Sequence, residues 1–222
     1  MELSREVIDR FLKVDPATVG HYVGSGFMRP AMKPVRRDEK RMVGTAYTVR
    51  LEGRDSSALY YAISKAPAGS VIVIDRCGDD TFACVGEMVA AYAQGRGMAG
   101  IVVDGPATDS VAISKMEMPV FCTAISCVTT LILGVSGEVG SVINCSGAIV
   151  RPGEIVFGDA DGVVVLPRNG FEEPLRKAEI SVENEVAQRK IFASGQLPGW
   201  DIDKLFETDV PAMLAGIWRN EK

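Results

Sequence analysis

Apolar and polar positions change period along this chain, and the changes mark its elements. The first residues, MELSREVIDRFLKVD, are charged and amphipathic at helical spacing, which predicts a helix through about Val14. A short helix is expected after Asp15 and Pro16, because aspartate caps a helix start and proline suits its first turn. After a basic loop, KPVRRDEKR, the segment MVGTAYTVRLEG predicts a strand, and DSSALYYAISKA predicts a helix with Asp55 or Ser56 at its N-cap. SVIVIDRC is apolar at almost every position, the pattern of a strand buried on both faces. A helix over about Gly86 to Gln94 and a strand IVVDG complete a run of strand, helix, strand, helix, strand. The later segments PVFCTA, TTLILG, GSVINC, AIVRPGEIVFG and DGVVVLP are short and broken by Gly, Pro and Asp, so this region is richer in strands. A last amphipathic helix, EEPLRKAEISVENEVAQRKIFASG, ends at Gly195 and leads into a tail containing Trp200 and Trp218.

This order predicts one α/β domain over residues 1–222, since no Pro/Ser-rich linker divides it. Trp200, Leu205, Phe206, Met213 and Trp218 give the C-terminal helix and tail an apolar surplus, for which an oligomer interface is the expected use. With 222 residues and 47% hydrophobic content the chain can bury a sizeable core. The net charge of -5 provides no basic excess for a phosphate backbone, so nucleic acid is not expected as a principal ligand. No apolar run reaches membrane-spanning length and the N-terminus has no signal-peptide core, so a cytoplasmic location without membrane association is expected. The five cysteines contain no C-x-x-C pair and are read as reduced core thiols. The single histidine, His21, lies in a glycine-rich turn far from them, which argues against a Cys–His nucleophile and excludes a His-rich zinc site.

Gly95, Gly97 and Gly100 form a literal G-x-G-x-x-G, but in the wrong setting for a dinucleotide. That loop must follow a strand and open a helix, whereas here a helix precedes it and a strand follows. The glycines are expected to end the helix, with Gly95 or Gly97 in the left-handed conformation and Gly100 permitting close packing. No strand, glycine-rich loop and helix suited to a cofactor adenosine is found elsewhere. Ligands of α/β sheets gather beyond the carboxyl ends of strands. Two such places stand out: GDDTFACVGEMV, which leads to a helix start at Gly86, Glu87, Met88 and Val89, and PATDS, which presents Thr108 and Asp109. If adjacent strands bring these loops together, Glu87 and Asp109 face one opening beside free backbone N–H groups. Such oxygen donors suit a hard cation like Mg²⁺. The plainer reading is that Glu87 complements its helix dipole and Asp109 caps the next helix.

The run GDDTFACVGEMVAAYAQGRGMAGIVVDGPATD, with PVFCTA and INCSGAIVRPGEIVFGDADGVVVLPR, resembles the family of regulator of ribonuclease E activity A and the 4-hydroxy-4-methyl-2-oxoglutarate aldolases. The resemblance implies a swivelling β/β/α fold, a homotrimer or dimer of trimers, and a site between subunits. It implies Mg²⁺, Mn²⁺ or another divalent cation on Asp109, and a small 2-oxo acid as substrate, converted to pyruvate by aldol cleavage or, as with oxaloacetate, by decarboxylation. Gly86, Glu87, Met88 and Val89 then hold the substrate carboxylate by backbone N–H groups and orient metal-bound water. A glutamate from the last helix of a neighbouring subunit completes the set, Glu185 being the candidate and Glu183 the alternative. The chain departs from the pattern at Thr108, where the aldolases carry an arginine that contacts the oxo acid. Three readings stay open: another cation such as Arg76 or Lys115 substitutes, the substrate differs, or catalysis is lost. The last would leave a non-catalytic binding protein similar to the ribonuclease regulator.

Overall fold

A computed structural model describes residues 3–36 and 40–195. The elements are α1 (Arg5–Phe11), α2 (Pro16–Gly20), β1 (Lys33–Pro34), β2 (Met42–Arg50), α3 (Ser57–Lys65), β3 (Ser70–Asp75), α4 (Glu87–Gly95), β4 (Gly100–Ala107), α5 (Ser110–Ile113) and β5 (Val120–Ile125). Then come β6 (Glu138–Val139), β7 (Ile143–Cys145), β8 (Ala148–Val150), β9 (Ile155–Gly158), β10 (Val163–Leu166) and α6 (Glu172–Ala193). Two compact units are distinguished, one through Ile180 and one from Ser181. Of the second, the structure describes the latter half of α6 and the two residues after it, 181–195. The tail residues Trp200 to Trp218, expected at an oligomer interface, lie outside the described residues.

The main sheet runs β1, β5, β4, β3, β2, β9, β10, with β6 added at the end of β2. Its four central strands are parallel and joined in sequence through α3, α4 and α5, while β1, β9 and β10 are antiparallel to their neighbours. The unbroken apolar run of β3 is explained by its two faces. Ile72 and Ile74 meet Leu59, Ala62 and Ile63 of α3 and Val89, Ala90 and Ala93 of α4 in one core. Val71 and Val73 point the other way, into a second core closed by the β7–β8 hairpin, β10 and Phe121 of β5. The fold is thus mixed α/β, with helices, main sheet and hairpin in layers and a sheet that curls towards closure over the second core. Gly158 of β9 lies so near Phe121 that an added Cβ would stand 3.0 Å from the ring.

The helix start signals act as their chemistry demands. Ser4 and Asp15 accept from Val7 and Thr18 backbone N–H groups, and Pro16 occupies the first turn of α2. The first helix is shorter than its amphipathic pattern suggests, because after Phe11 the chain tightens to i−3 bonds at Lys13 and Val14. Gly97, with φ +75°, lets the Met98 N–H turn back to Ala93 C=O and ends α4, and Gly100 passes beneath Met42, whose Sδ would stand 2.2 Å from an added Cβ. Both oppose a dinucleotide loop. TTLILG is no strand but a strap with isolated bridges from Thr129 to Ala83 and from Leu131 to Asp55. The reading of all five cysteines as core thiols also needs correction: Cys84, Cys122 and Cys145 are buried, but Cys77 and Cys127 are exposed, all five being free.

Candidate active site at the carboxyl ends of the strands

Beyond β5 the chain turns back across the carboxyl ends of the parallel strands. Ser126 N–H donates to Ala107 C=O at the end of β4, and Ala83 exchanges bonds with Val128 and Thr130 in the β3–α4 loop. Leu131 N–H then donates to Arg54 C=O and its own C=O accepts from Ser56 N–H, before Glu138 reaches the end of β2. Asp55 fixes this strap. Only 2% exposed, it accepts from the hydroxyl and N–H of Ser57 and from the N–H groups of Leu133, Val135 and Ser136. These bonds, the Ser57 hydroxyl first and then the Ser57, Val135 and Ser136 amides, hold its carboxyl well below the usual carboxylate range. The N-cap of α3 is Ser56, while Asp55 serves the first-turn amide at Ser57.

Between the strap and the starts of α3 and α4 lies a cleft of about 360 Å³, bordered by Gly86, Met88, Val89, Thr108 and Asp109 and, from the strap, by Leu131 and Ile132. The two sequence loops are adjacent because β3 and β4 are paired neighbours, and a further bridge joins Val85 to Ala107. Asp109 has φ +52° and is the N-cap residue of α5, yet makes no side-chain capping bond there. Its carboxylate turns instead to the start of α4, where Oδ2 accepts from Glu87 N–H at 3.0 Å. The plain expectation that Asp109 caps its own helix is therefore corrected: it caps the neighbouring one, from which Gly86 offers no side-chain bond. Gly86 is required for this approach, since an added Cβ would stand 2.6 Å from Asp109 Oδ2 and 2.9 Å from Thr108 Cγ2. The N–H groups of Met88 and Val89, in the first turn of α4, have no acceptor among the described residues, and Ala90 N–H is the first to bond back to Gly86 C=O.

Glu87 is exposed and is not among the residues that border the cleft. Neither proposed substitute for an arginine at position 108 borders it either. Lys115 is exposed beyond α5. Arg76 is fully buried over Gly105, and its Nη2 donates to Gly53 C=O and Asp79 at 2.6 Å each. Its Nε and Nη1 have no acceptor within the described chain. Sequence reasoning put Asp55 at a helix start but missed the strap that it holds, whose amides come from 78 to 81 residues along the chain. Cys84, also at the cleft, is no nucleophile, because burial pushes its thiol up to about 12. Glu185 lies in the second unit, where it accepts from Arg189 at 2.7 Å one turn along α6. For a divalent cation the described residues bordering the cleft provide one carboxylate, Asp109, with Oδ2 accepting from Glu87 N–H, and no group of three or more His, Cys, Asp or Glu gathers among the described residues. This fits a hard, largely hydrated ion such as Mg²⁺ and does not fit zinc.

The profile of the Aldolase/RraA family matches residues 6–165. The chain belongs to this family. Within it, a Halalkalibacterium halodurans protein with the provisional name 4-hydroxy-4-methyl-2-oxoglutarate aldolase is 36% identical over 162 residues, covering 73% of this chain and 76% of its own. The RNA-processing inhibitor RraA of Thermus thermophilis superposes with a TM-score of 0.58 at 26% identity, over 63% of this chain and 84% of its own. Streptomyces coelicolor RraAS2, described as an unusual member of the RNase ES inhibitor RraA family, has a TM-score of 0.74 over 85% of this chain and 98% of its own, and at 23% identity bears on the fold alone. The family therefore contains proteins named as aldolases and proteins named as inhibitors. Among the described residues no helix is long and apolar enough to cross a membrane.

Proposed function

We propose that this Aldolase/RraA protein is a divalent-metal-dependent lyase that acts on a 2-oxo acid and releases pyruvate. The observation that supports it best is the placement of Asp109, held by the Glu87 amide at the mouth of a cleft into which a helix start also opens. A first helical turn with unpaired amides favours an anion, so Met88 and Val89 N–H groups would hold the substrate carboxylate. Asp109 would hold the cation, and Thr108 would orient a substrate oxygen through its hydroxyl. A bound divalent ion supplies Lewis-acid polarisation of the 2-oxo group. Glu87 shapes the site by the amide that fixes Asp109, its carboxylate remaining in solvent.

The protein is further proposed to work as a homo-oligomer, a trimer or dimer of trimers. The strap exposes Leu131, Ile132, Leu133 and Val135, the last two 51% and 77% exposed, next to Met88 on the cleft rim. An apolar surface of this kind is covered in an assembly. Glu185, with Glu183 as alternative, would then enter the cleft of a neighbouring subunit. The test is pyruvate release from a panel of 2-oxo acids with Mg²⁺, with Asp109→Ala as control, followed by mixing Asp109→Ala and Glu185→Ala subunits. Activity that needs Asp109 and returns on mixing is expected; an inactive, metal-loaded and assembled protein would leave a binding role like that of the inhibitor RraA.

A further inference from the structure

The charges around the cleft say which 2-oxo acid it takes, given that it takes one. Among the described residues bordering it, Asp109 is the only one that carries a formal charge at neutral pH. Apolar side chains border the cleft, those of Ala83, Met88, Val89, Leu131 and Ile132. The hydroxyls there, of Ser56, Tyr60, Thr108, Thr129 and Thr130, are uncharged. Cations nearby are committed elsewhere. Arg76 is buried against Asp79, and Arg54 donates from Nε to Thr129 C=O at 3.2 Å while its guanidinium lies over the Phe82 ring. Beside the cation proposed on Asp109, the first turn of α4 offers two unpaired amides that match a single carboxylate.

We infer that the cleft selects a 2-oxo acid with one carboxylate and an uncharged, alkyl distal end, with a hydroxyl tolerated beside the threonines. A distal carboxylate would find no cationic side chain among the described residues bordering the cleft, since the cation on Asp109 is engaged by the 2-oxo head. An alkyl end gains instead by covering Leu131 and Ile132, which are 45% and 66% exposed. For a lyase the matching substrate is a 4-hydroxy-2-oxo acid with an alkyl substituent at C4. Its C4 hydroxyl loses a proton, the C3–C4 bond breaks and C4 becomes the carbonyl of an aldehyde. The electron pair stays on the three-carbon fragment, which takes up a proton at C3 and leaves as pyruvate. No oxidant or co-reactant is needed.

This inference rests on the lyase reading for its chemistry but not for its test. The probes are 2-oxopentanoate and 2-oxoglutarate, equal in chain length and differing in a terminal methyl against a carboxylate. Calorimetric titration of the assembled protein with Mg²⁺ present should show 2-oxopentanoate binding at least about tenfold more tightly. Thr108→Arg, which adds a cation at the rim, should reduce or invert that ratio. Turnover is measured in parallel with 4-hydroxy-2-oxohexanoate and 4-hydroxy-2-oxoglutarate. Equal or tighter binding of 2-oxoglutarate by the unaltered protein, or faster cleavage of the dicarboxylate, overturns the inference and leaves the lyase reading standing. The binding preference without any turnover would support the inference and sink the lyase reading instead. Binding of neither probe refutes both.

Discussion

Gly86→Ala isolates the contact on which the site depends. Gly86 has φ −122° and ψ −173°, an extended conformation open to alanine, so the substitution adds no backbone strain. What it adds is a methyl group 2.6 Å from Asp109 Oδ2 and 2.9 Å from Thr108 Cγ2. An ordinary carbon–oxygen contact is about 3.3 Å, so the carboxylate must retreat by roughly 0.7 Å. The 3.0 Å bond from Glu87 N–H would then open to a distance at which little of it remains. Crowding of this sort costs about 1–3 kcal/mol in a packed core, and here the exposed carboxylate can swing into solvent, so the lower end is expected for stability. Function should suffer more, since a shift approaching 1 Å in a positioned group can cost about a hundredfold. The expected result is a variant that unfolds in urea within about 1 kcal/mol of the unaltered protein, yet loses most of its Mg²⁺-linked thermal stabilisation and at least about tenfold in kcat/KM for pyruvate release. Full metal response and activity in Gly86→Ala would refute the argument that Asp109 must sit against the start of α4.

Four further outcomes follow from the same geometry. Asp109→Ala should abolish the rise in Tm with Mg²⁺ or Mn²⁺, because a ligand that binds only the folded state stabilises by mass action; an unchanged rise places the ion elsewhere. Folding lowers the Asp55 pKa, so its stabilisation is complete above the ordinary carboxylate value of about 4 and is lost only as the pH falls through the depressed folded value. Asp55→Asn puts donors where backbone N–H groups now point, and the amides of Leu133, Val135 and Ser136 should exchange with solvent at least about tenfold faster at pH 5–7, as read by hydrogen exchange. Arg76→Ala should cost about 3 kcal/mol in urea unfolding, with Arg76→Met recovering about half by refilling the space of the stem; equal losses would mean that packing contributes nothing there. Light scattering at micromolar concentration should give at least a trimer, and Ile132→Asp together with Leu133→Asp should shift it towards monomer.

The parts of this protein that could be read from the chain are those whose signals are local. Proline after Asp15, the apolar run at Ser70–Asp75 and the glycine that ends α4 each follow from the conformations open to a few neighbouring residues, and each stands where its chemistry puts it. The order of helices before strands also told the dinucleotide loop from its imitation at Gly95 to Gly100. The segment TTLILG misled, because apolar content implies a strand only when the fold offers a partner along its whole length. Here it spans three loop ends and pairs at isolated points.

Residue types and spacing likewise put Glu87 and Asp109 at two helix starts and gave the family pattern. Which way their side chains turn depended on strand pairing, since β3 beside β4 brings the two loops within a hydrogen bond and Gly86 leaves room for the carboxylate of Asp109. The same holds for Asp55, whose partners at Leu133, Val135 and Ser136 lie far along the chain, and for Arg76, which buried packing removes from the cleft that its charge would suit. Short-range sterics and hydrogen-bonding capacity are carried by each residue wherever it goes, so the sequence alone determines local features such as the cap at Asp15, the turn at Gly97 and the alternation of helix and strand from β2 to β4. Contacts between residues distant in sequence exist only once the sheet has chosen its neighbours, and the tertiary structure alone decided the strap, the cleft and the direction in which Asp109 points.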